Sequence, residues 1–193
     1  MNMARFAAML LSGVCFASFT WAVRALFRAE NGMPARMRWL SLAGTACFAA
    51  QLWAIWRANL ALVAICMGVA LYMAALTLFW WAVPYARNAA LRIAFSPNAS
   101  HELITTGPYC YVRHPFYASY LLFWVAGVVE SKSIWLCSTV LVMAAFYFVA
   151  IRQEEKEFLC GPLAAEYFAY KRCAGMLWPR FNLRSQKFRA HVK

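Results

Sequence analysis

Apolar positions along this chain gather into five blocks: Phe6 to Phe27, broken only by Arg24; Trp39 to Trp56; Leu60 to Val83; Phe116 to Val129; and Ile134 to Ile151. Four of them reach, or nearly reach, the roughly 20 residues that carry a helix across ~30 Å of hydrocarbon at ~1.5 Å per residue. The fourth is shorter. Its 14 residues cover only about 21 Å as a helix, so it must recruit the Arg113–Tyr117 end, thin the bilayer locally or enter at an angle. After Ile151 the pattern changes to two short amphipathic helices, Glu154–Leu159 and Ala164–Arg172, with a break at Gly161-Pro162. The expected fold is all-α. It is a polytopic membrane helix bundle of about five transmembrane helices in one domain, 1–193: three N-terminal spans over 1–83, a region carrying the polar motifs over 84–180, and a basic tail over 181–193.

Composition supports that class, since 64% of residues are apolar, 13% are charged and Asp is absent. Charge then gives an orientation. Arg24, Arg28, Arg36, Arg38, Arg87, Arg92, Arg113, Arg152, Lys156, Lys171, Arg172, Arg180, Arg184, Lys187, Arg189 and Lys193 fall on one set of alternate connections, and only Arg5, Arg57 and Lys132 on the other. Sixteen against three predicts an N-terminus outside and a C-terminus in the cytoplasm, at the plasma (inner) membrane in a bacterial host. Orientation and contact with anionic membrane lipids account for the +12 net charge, so no nucleic-acid partner is inferred. The first block reads as a retained span, because it is longer than the ~7–15-residue apolar core of a signal peptide and has a charged far flank.

Seven cysteines, at 15, 47, 66, 110, 137, 160 and 173, form no Cys-x-x-Cys pair and have no histidine at ligand spacing, so they read as reduced packing or lipid-facing residues. There is no Gly-rich phosphate loop, and no metal is expected. Chemistry concentrates instead in the connection Pro84 to Pro115, too long to be idle. Ser96-Pro97-Asn98 and Thr106-Gly107-Pro108 mark turns. Pro115 suits the first turn of a helix, which sets Arg113 and His114 at a helix N-terminus, where unpaired N–H groups favour an anion. A second cluster, Arg152 to Glu157, leaves the fifth block with Arg152 and Glu155 at i and i+3 and Arg152 and Lys156 at i and i+4. On spacing alone these charges could equally be a solvated, self-neutralising helix end. Bracketing one helical hairpin, the two clusters read as the lips of an active site on the cytosolic side.

The residues in these clusters resemble those of the isoprenylcysteine carboxyl methyltransferase family, small integral membrane enzymes related to the phospholipid N-methyltransferases. The likeness is carried by Leu103-Ile104-Thr105-Thr106-Gly107-Pro108-Tyr109, by Tyr111-Val112-Arg113-His114-Pro115-Phe116-Tyr117, and by Arg152-x-Glu154-Glu155 with Glu166-Tyr167-x-x-Tyr170 and Trp178-Pro179. It covers roughly residues 84 to 180. Cys160-Gly161-Pro162-Leu163 departs from the Phe-Gly common in the family before the Tyr-x-x-Tyr helix, which puts Tyr167 and Tyr170 in question more than Arg152.

The resemblance implies transfer of a methyl group from S-adenosylmethionine to a lipophilic or prenylated acceptor drawn from the bilayer, most simply the carboxylate of an isoprenylcysteine-like molecule. It implies a cytosolic cofactor cleft built by the last helical hairpin and the C-terminal amphipathic helices. The cofactor's carboxylate, ammonium, sulfonium and adenine want a cation or N–H donor, an acceptor, and aromatic faces. Gly107, Pro108, Tyr109, Tyr111, Arg113, His114, Pro115, Tyr117 and Tyr167 are the candidate cofactor-binding residues. The candidate catalytic residues are Arg152, orienting an acceptor carboxylate, and Glu154 and Glu155, taking a proton if the acceptor is an amine. Membrane sterol reductases share a similar Arg-His-Pro-x-Tyr design but use NADPH, and a non-catalytic scaffold or transporter would bind neither cofactor.

Overall fold

A computed structural model of the chain describes residues 3–25, 35–59, 61–88 and 103–180. They form α1 (Met3–Ala25), α2 (Ala35–Arg57), α3 (Leu62–Asn88), α4 (Pro115–Ser131), α5 (Leu136–Cys160) and α6 (Ala164–Cys173), with one 3-10 turn at Gly107–Cys110. Among the described residues there is no strand, only an isolated parallel bridge between Val112 and Gly175. Arg28, Arg92, the Ser96-Pro97-Asn98 turn, His101 and the basic tail 181–193 lie outside the described residues.

Four helices are long and apolar enough to cross a membrane, over Arg5–Val23, Arg38–Arg57, Leu62–Arg87 and Leu136–Cys160. The short block becomes α4, whose 17 residues span about 25 Å. Its position explains how so short a helix is accommodated. Ten of those 17 residues are buried, against 22–33% of the residues in the four longer spans. Neighbouring helices therefore wrap α4, and the chain surrounds it with protein where an isolated helix would need lipid of matching thickness.

Aromatic rings organise that centre. Phe123 of α4 lies 5.5 Å from Phe19 and 6.4 Å from Phe16 on α1, 6.1 Å from Phe48 on α2 and 5.8 Å from Tyr72 on α3, ring centre to ring centre. Rings at these spacings bury large apolar areas and interlock through edge and tilted contacts. The most extensive pairing is α3 with α4, where Gly68, Ala75, Ala82 and Ala86 of α3 are buried; small side chains let backbones approach.

Two expected boundaries are corrected. The third apolar block ends at Val83, yet α3 continues through Pro84 to Asn88. Proline removes one intrahelical hydrogen bond, but Val83 and Ala86 are buried in the core, and that packing holds the extra turn. The fifth block and the Glu154–Leu159 helix, read as separate, are one continuous α5 to Cys160. No helix breaker intervenes between Ile151 and Cys160, and the break comes at Gly161-Pro162 as the residues dictate.

Candidate active site

The loop before α4 and the segment after α6 that pairs with it are shaped by two glycines and two buried prolines. Gly107 has φ +61, and a side chain there would collide with the Tyr85 ring of α3, so both conformation and space call for glycine. Pro108 and Pro115 are fully buried, the second in the first turn of α4, where its missing N–H costs nothing. From Tyr111 the chain runs parallel to the segment after α6. The Arg113 amide donates to the Gly175 carbonyl at 2.7 Å, the His114 amide to Met176 at 3.2 Å, and the Gly175 amide to Tyr111 at 3.0 Å. A Cβ on Gly175 would strike the Trp178 carbonyl, so the turn that carries Trp178 also depends on glycine. The Tyr170 hydroxyl donates to the Tyr109 carbonyl at 2.7 Å, fastening α6 to the same loop.

At the far end of this seam the side chains converge on Glu155 of α5. Its Oε1 accepts from Arg113 Nε at 3.1 Å and Nη2 at 2.9 Å, and lies 3.4 Å from His114 Nε2; its Oε2 accepts from Lys171 Nζ at 3.0 Å. The remaining Arg113 nitrogen, Nη1, donates to the carbonyls of Ala174, just past α6, at 2.6 Å and of Lys171, in its last turn, at 3.3 Å. Arginine at a helix C-terminus satisfies carbonyls that have no intrahelical partner. Three chain segments therefore meet on one carboxylate that is 4% exposed, and its charge is compensated by a guanidinium, an ammonium and an imidazole.

His114 faces a second carboxylate, with Nδ1 3.5 Å from Glu154 Oε2. Burial alone would lower the imidazole's pKa, but Glu154 and Glu155 outweigh it and hold His114 above its ordinary value. Glu154 stays 27% exposed, and Lys171 reaches solvent as well. From His114 a lane of rings runs into the bundle: Tyr117 at 5.9 Å, then Tyr147 at 5.5 Å and Tyr120 at 6.2 Å from Tyr117. The Tyr147 hydroxyl accepts from Trp124 Nε1 at 3.1 Å.

A groove of about 670 Å³ lies between α3 and α4. Leu78 and Trp81 of α3, Leu121 and Val125 of α4, Val112 and Trp178 are among its walls. Trp81, Val125 and Trp178 are exposed, so the groove opens on the outer surface of the bundle. Both segments of the bridged seam serve both features: Val112 walls the groove while Arg113 and His114 bind Glu155, and Trp178 walls it while Ala174 receives Arg113.

The structure thus brings together Arg113, His114, Glu154, Glu155 and, beside them, Tyr117. Gly107, Pro108, Tyr109 and Pro115 build the loop, with Tyr109 buried in the core. Tyr111 lies 6.2 Å from Trp81 on the groove side. Tyr167 stacks on Phe158 at 5.1 Å; burial and the neighbouring Glu155 carboxylate push its phenol pKa up. Arg152 does not join the cluster: it is exposed and lies over the Phe148 ring at 5.0 Å. Lys171 is the contributor that the motifs did not single out. Tyr167, Tyr170, Lys171 and Ala174 fall at i, i+3, i+4 and i+7, one helix face, but nothing in that spacing names Glu155 as the partner.

No curated protein and no solved structure matches the chain. Residues 66–159, from α3 to nearly the end of α5, match the model of the isoprenylcysteine carboxyl methyltransferase (ICMT) family, the stretch that supplies α4, both carboxylates and most of the groove. On that match, over an all-helical membrane bundle, the chain is similar to the isoprenylcysteine carboxyl methyltransferase family.

Proposed function

We propose that the protein transfers a methyl group from S-adenosylmethionine to a lipophilic acceptor, the carboxylate of an isoprenylcysteine-like molecule. The observation that carries the proposal is the single seam, Tyr111–His114 against Gly175–Pro179, that has a charged cluster and an apolar groove open to the bundle surface. A water-borne cofactor and a lipid-borne acceptor need two such compartments side by side.

The residues present fit the cofactor's amino-acid end. Glu154, partly exposed and 3.5 Å from His114, offers an acceptor for an ammonium. His114, held toward its charged form, and Lys171 offer cations for a carboxylate. Tyr117 and Tyr111 offer aromatic faces for a sulfonium or an adenine. Arg113 is committed to Glu155 and the α6 carbonyls, so its part is to hold the seam closed. When bound, the cofactor supplies a methyl group on a sulfonium, already activated for displacement. The protein's task is then to hold donor and acceptor in line at roughly 3–3.5 Å, and an acceptor carboxylate, ionised at neutral pH, needs orientation more than a base. Arg152, exposed on α5 one turn before Glu155, is the cation proposed for that orientation.

Calorimetry on the detergent-purified chain with S-adenosylmethionine, its demethylated product and NADPH tests the reading. Binding of the first two, weakened in Glu154→Ala, is expected; binding of NADPH alone would move the protein to the reductases, and no binding would leave a scaffold. Arg152→Ala is expected to abolish transfer while leaving cofactor binding intact, and full activity would remove Arg152 from the mechanism.

A further inference from the structure

At the end of α4 away from Glu155 the bundle buries a second polar group for which methyl transfer has no use. Glu130 is 1% exposed and neither carboxylate oxygen has a hydrogen-bond partner among the described residues. Gln51 of α2 is wholly buried. Its amide nitrogen donates to Ser12 of α1 and to the Tyr72 hydroxyl of α3, each at 3.1 Å, while its carbonyl oxygen Oε1 is also left without a partner. Four helices thus contribute to one polar island.

Two glycines bring these groups together. Gln51's carboxamide presses on Gly127 of α4, where no side chain would fit, and Gly127 is three residues before Glu130, on the same helix face. A Cβ on Gly68 of α3 would lie 2.7 Å from the Glu130 Cβ, and Gly68 is one turn from Tyr72, which interacts electrostatically with Glu130. The island therefore holds the Glu130 carboxylate, the unpartnered Gln51 carbonyl and two hydroxyls, with the Tyr72 hydroxyl interacting with both Gln51 and the carboxylate. Among the described residues no cation compensates it: Arg5 is turned to the Ala58 carbonyl at 2.8 Å, and Arg57 and Lys132 are exposed. Glu130 also lies in the last turn of α4, where the helix dipole disfavours an anion and favours a cation.

We propose that Glu130, Gln51, Tyr72 and Ser12 form a binding site for one monovalent alkali cation, sodium. The donors are all hard oxygens, the set that suits alkali and alkaline-earth ions rather than zinc or copper, and a single carboxylate calls for a single positive charge. A buried carboxylate left bare is costly in protein interiors, and ionisable groups inside membranes are rare and mark ion or ligand sites by default. A proton on Glu130 would supply one donor, whereas a metal ion would serve the carboxylate and the Gln51 carbonyl together. The bound ion would tie α1, α2, α3 and α4 together at the end of the bundle that the Glu155 cluster does not reach.

The test uses the full chain purified in detergent, with thermal unfolding followed in sodium, potassium and choline chloride at one ionic strength, and binding of radioactive sodium measured directly. Expected are a midpoint that rises with sodium along a single-site curve, one sodium bound per chain, loss of both in Glu130→Gln and weakening in Gln51→Leu. A wild-type midpoint indifferent to the three salts, with no sodium bound, overturns the proposal. So does a sodium response that survives in Glu130→Gln, or an infrared carbonyl band of a protonated acid, lost in Glu130→Gln, with no sodium effect. If Glu130→Gln fails to fold, direct binding to the wild type and to Gln51→Leu decides.

Discussion

Replacing Glu155 by Gln keeps the side chain's shape and removes the charge on which three segments converge. Arg113 is left 7% exposed, with two of its nitrogens facing an amide where a carboxylate had been, and His114, equally buried, keeps only Glu154. Breaking a buried ion pair by removing one partner costs about 3–5 kcal/mol, because the surviving charge stays buried and uncompensated. Lys171 meets the same carboxylate but is 37% exposed, so solvent screens it and Lys171→Ala should cost no more than about 1 kcal/mol. Unfolding in mixed micelles titrated with denaturing detergent measures both. The double variant Arg113→Met with Glu155→Gln should recover part of the loss of Glu155→Gln alone, since no bare guanidinium remains, although the α6 carbonyls then lose their donor. A Glu155→Gln loss within about 1 kcal/mol of wild type, or a Lys171→Ala loss of equal size, would refute the view of Glu155 as the electrostatic hub.

Three further outcomes follow from the same geometry. Because the His114 pKa is raised in the folded protein, its contribution to stability is fully present below the unfolded value of about 6.5 and is lost as pH rises through the folded value; the unfolding midpoint should fall across that window, and His114→Gln should flatten the profile there. Tyr170→Phe removes the donor to the buried Tyr109 carbonyl and should cost about 1–3 kcal/mol in the detergent titration, with no change in the pH profile. Ala74→Trp would fill the groove between α3 and α4, raising the acceptor KM while leaving S-adenosylmethionine affinity unchanged; an unaltered acceptor KM would remove the groove from acceptor binding.

Much of this protein was readable along the chain because the bilayer leaves few alternatives: long apolar blocks with no partner for their backbone groups except themselves become helices. Pro115 at the start of α4 and the stop at Gly161-Pro162 follow from local residue chemistry, and the order of the apolar blocks sets the two polar clusters at the ends of one helical hairpin. Only the tertiary structure decided that α4, too short to span alone, is the wrapped centre of the bundle, since that depends on what Phe123 meets on three other helices. Burial of Val83 and Ala86, invisible to a rule about proline, carried α3 past Pro84. Side-chain direction separated the charged candidates: Arg152 lies over Phe148, and Lys171, sixteen residues beyond Glu155, completes the cluster in its place. Sequence spacing fixes which residues share a helix face; which faces meet is settled by packing between distant segments, and the Glu155 cluster, the groove and the Glu130 island all exist only there.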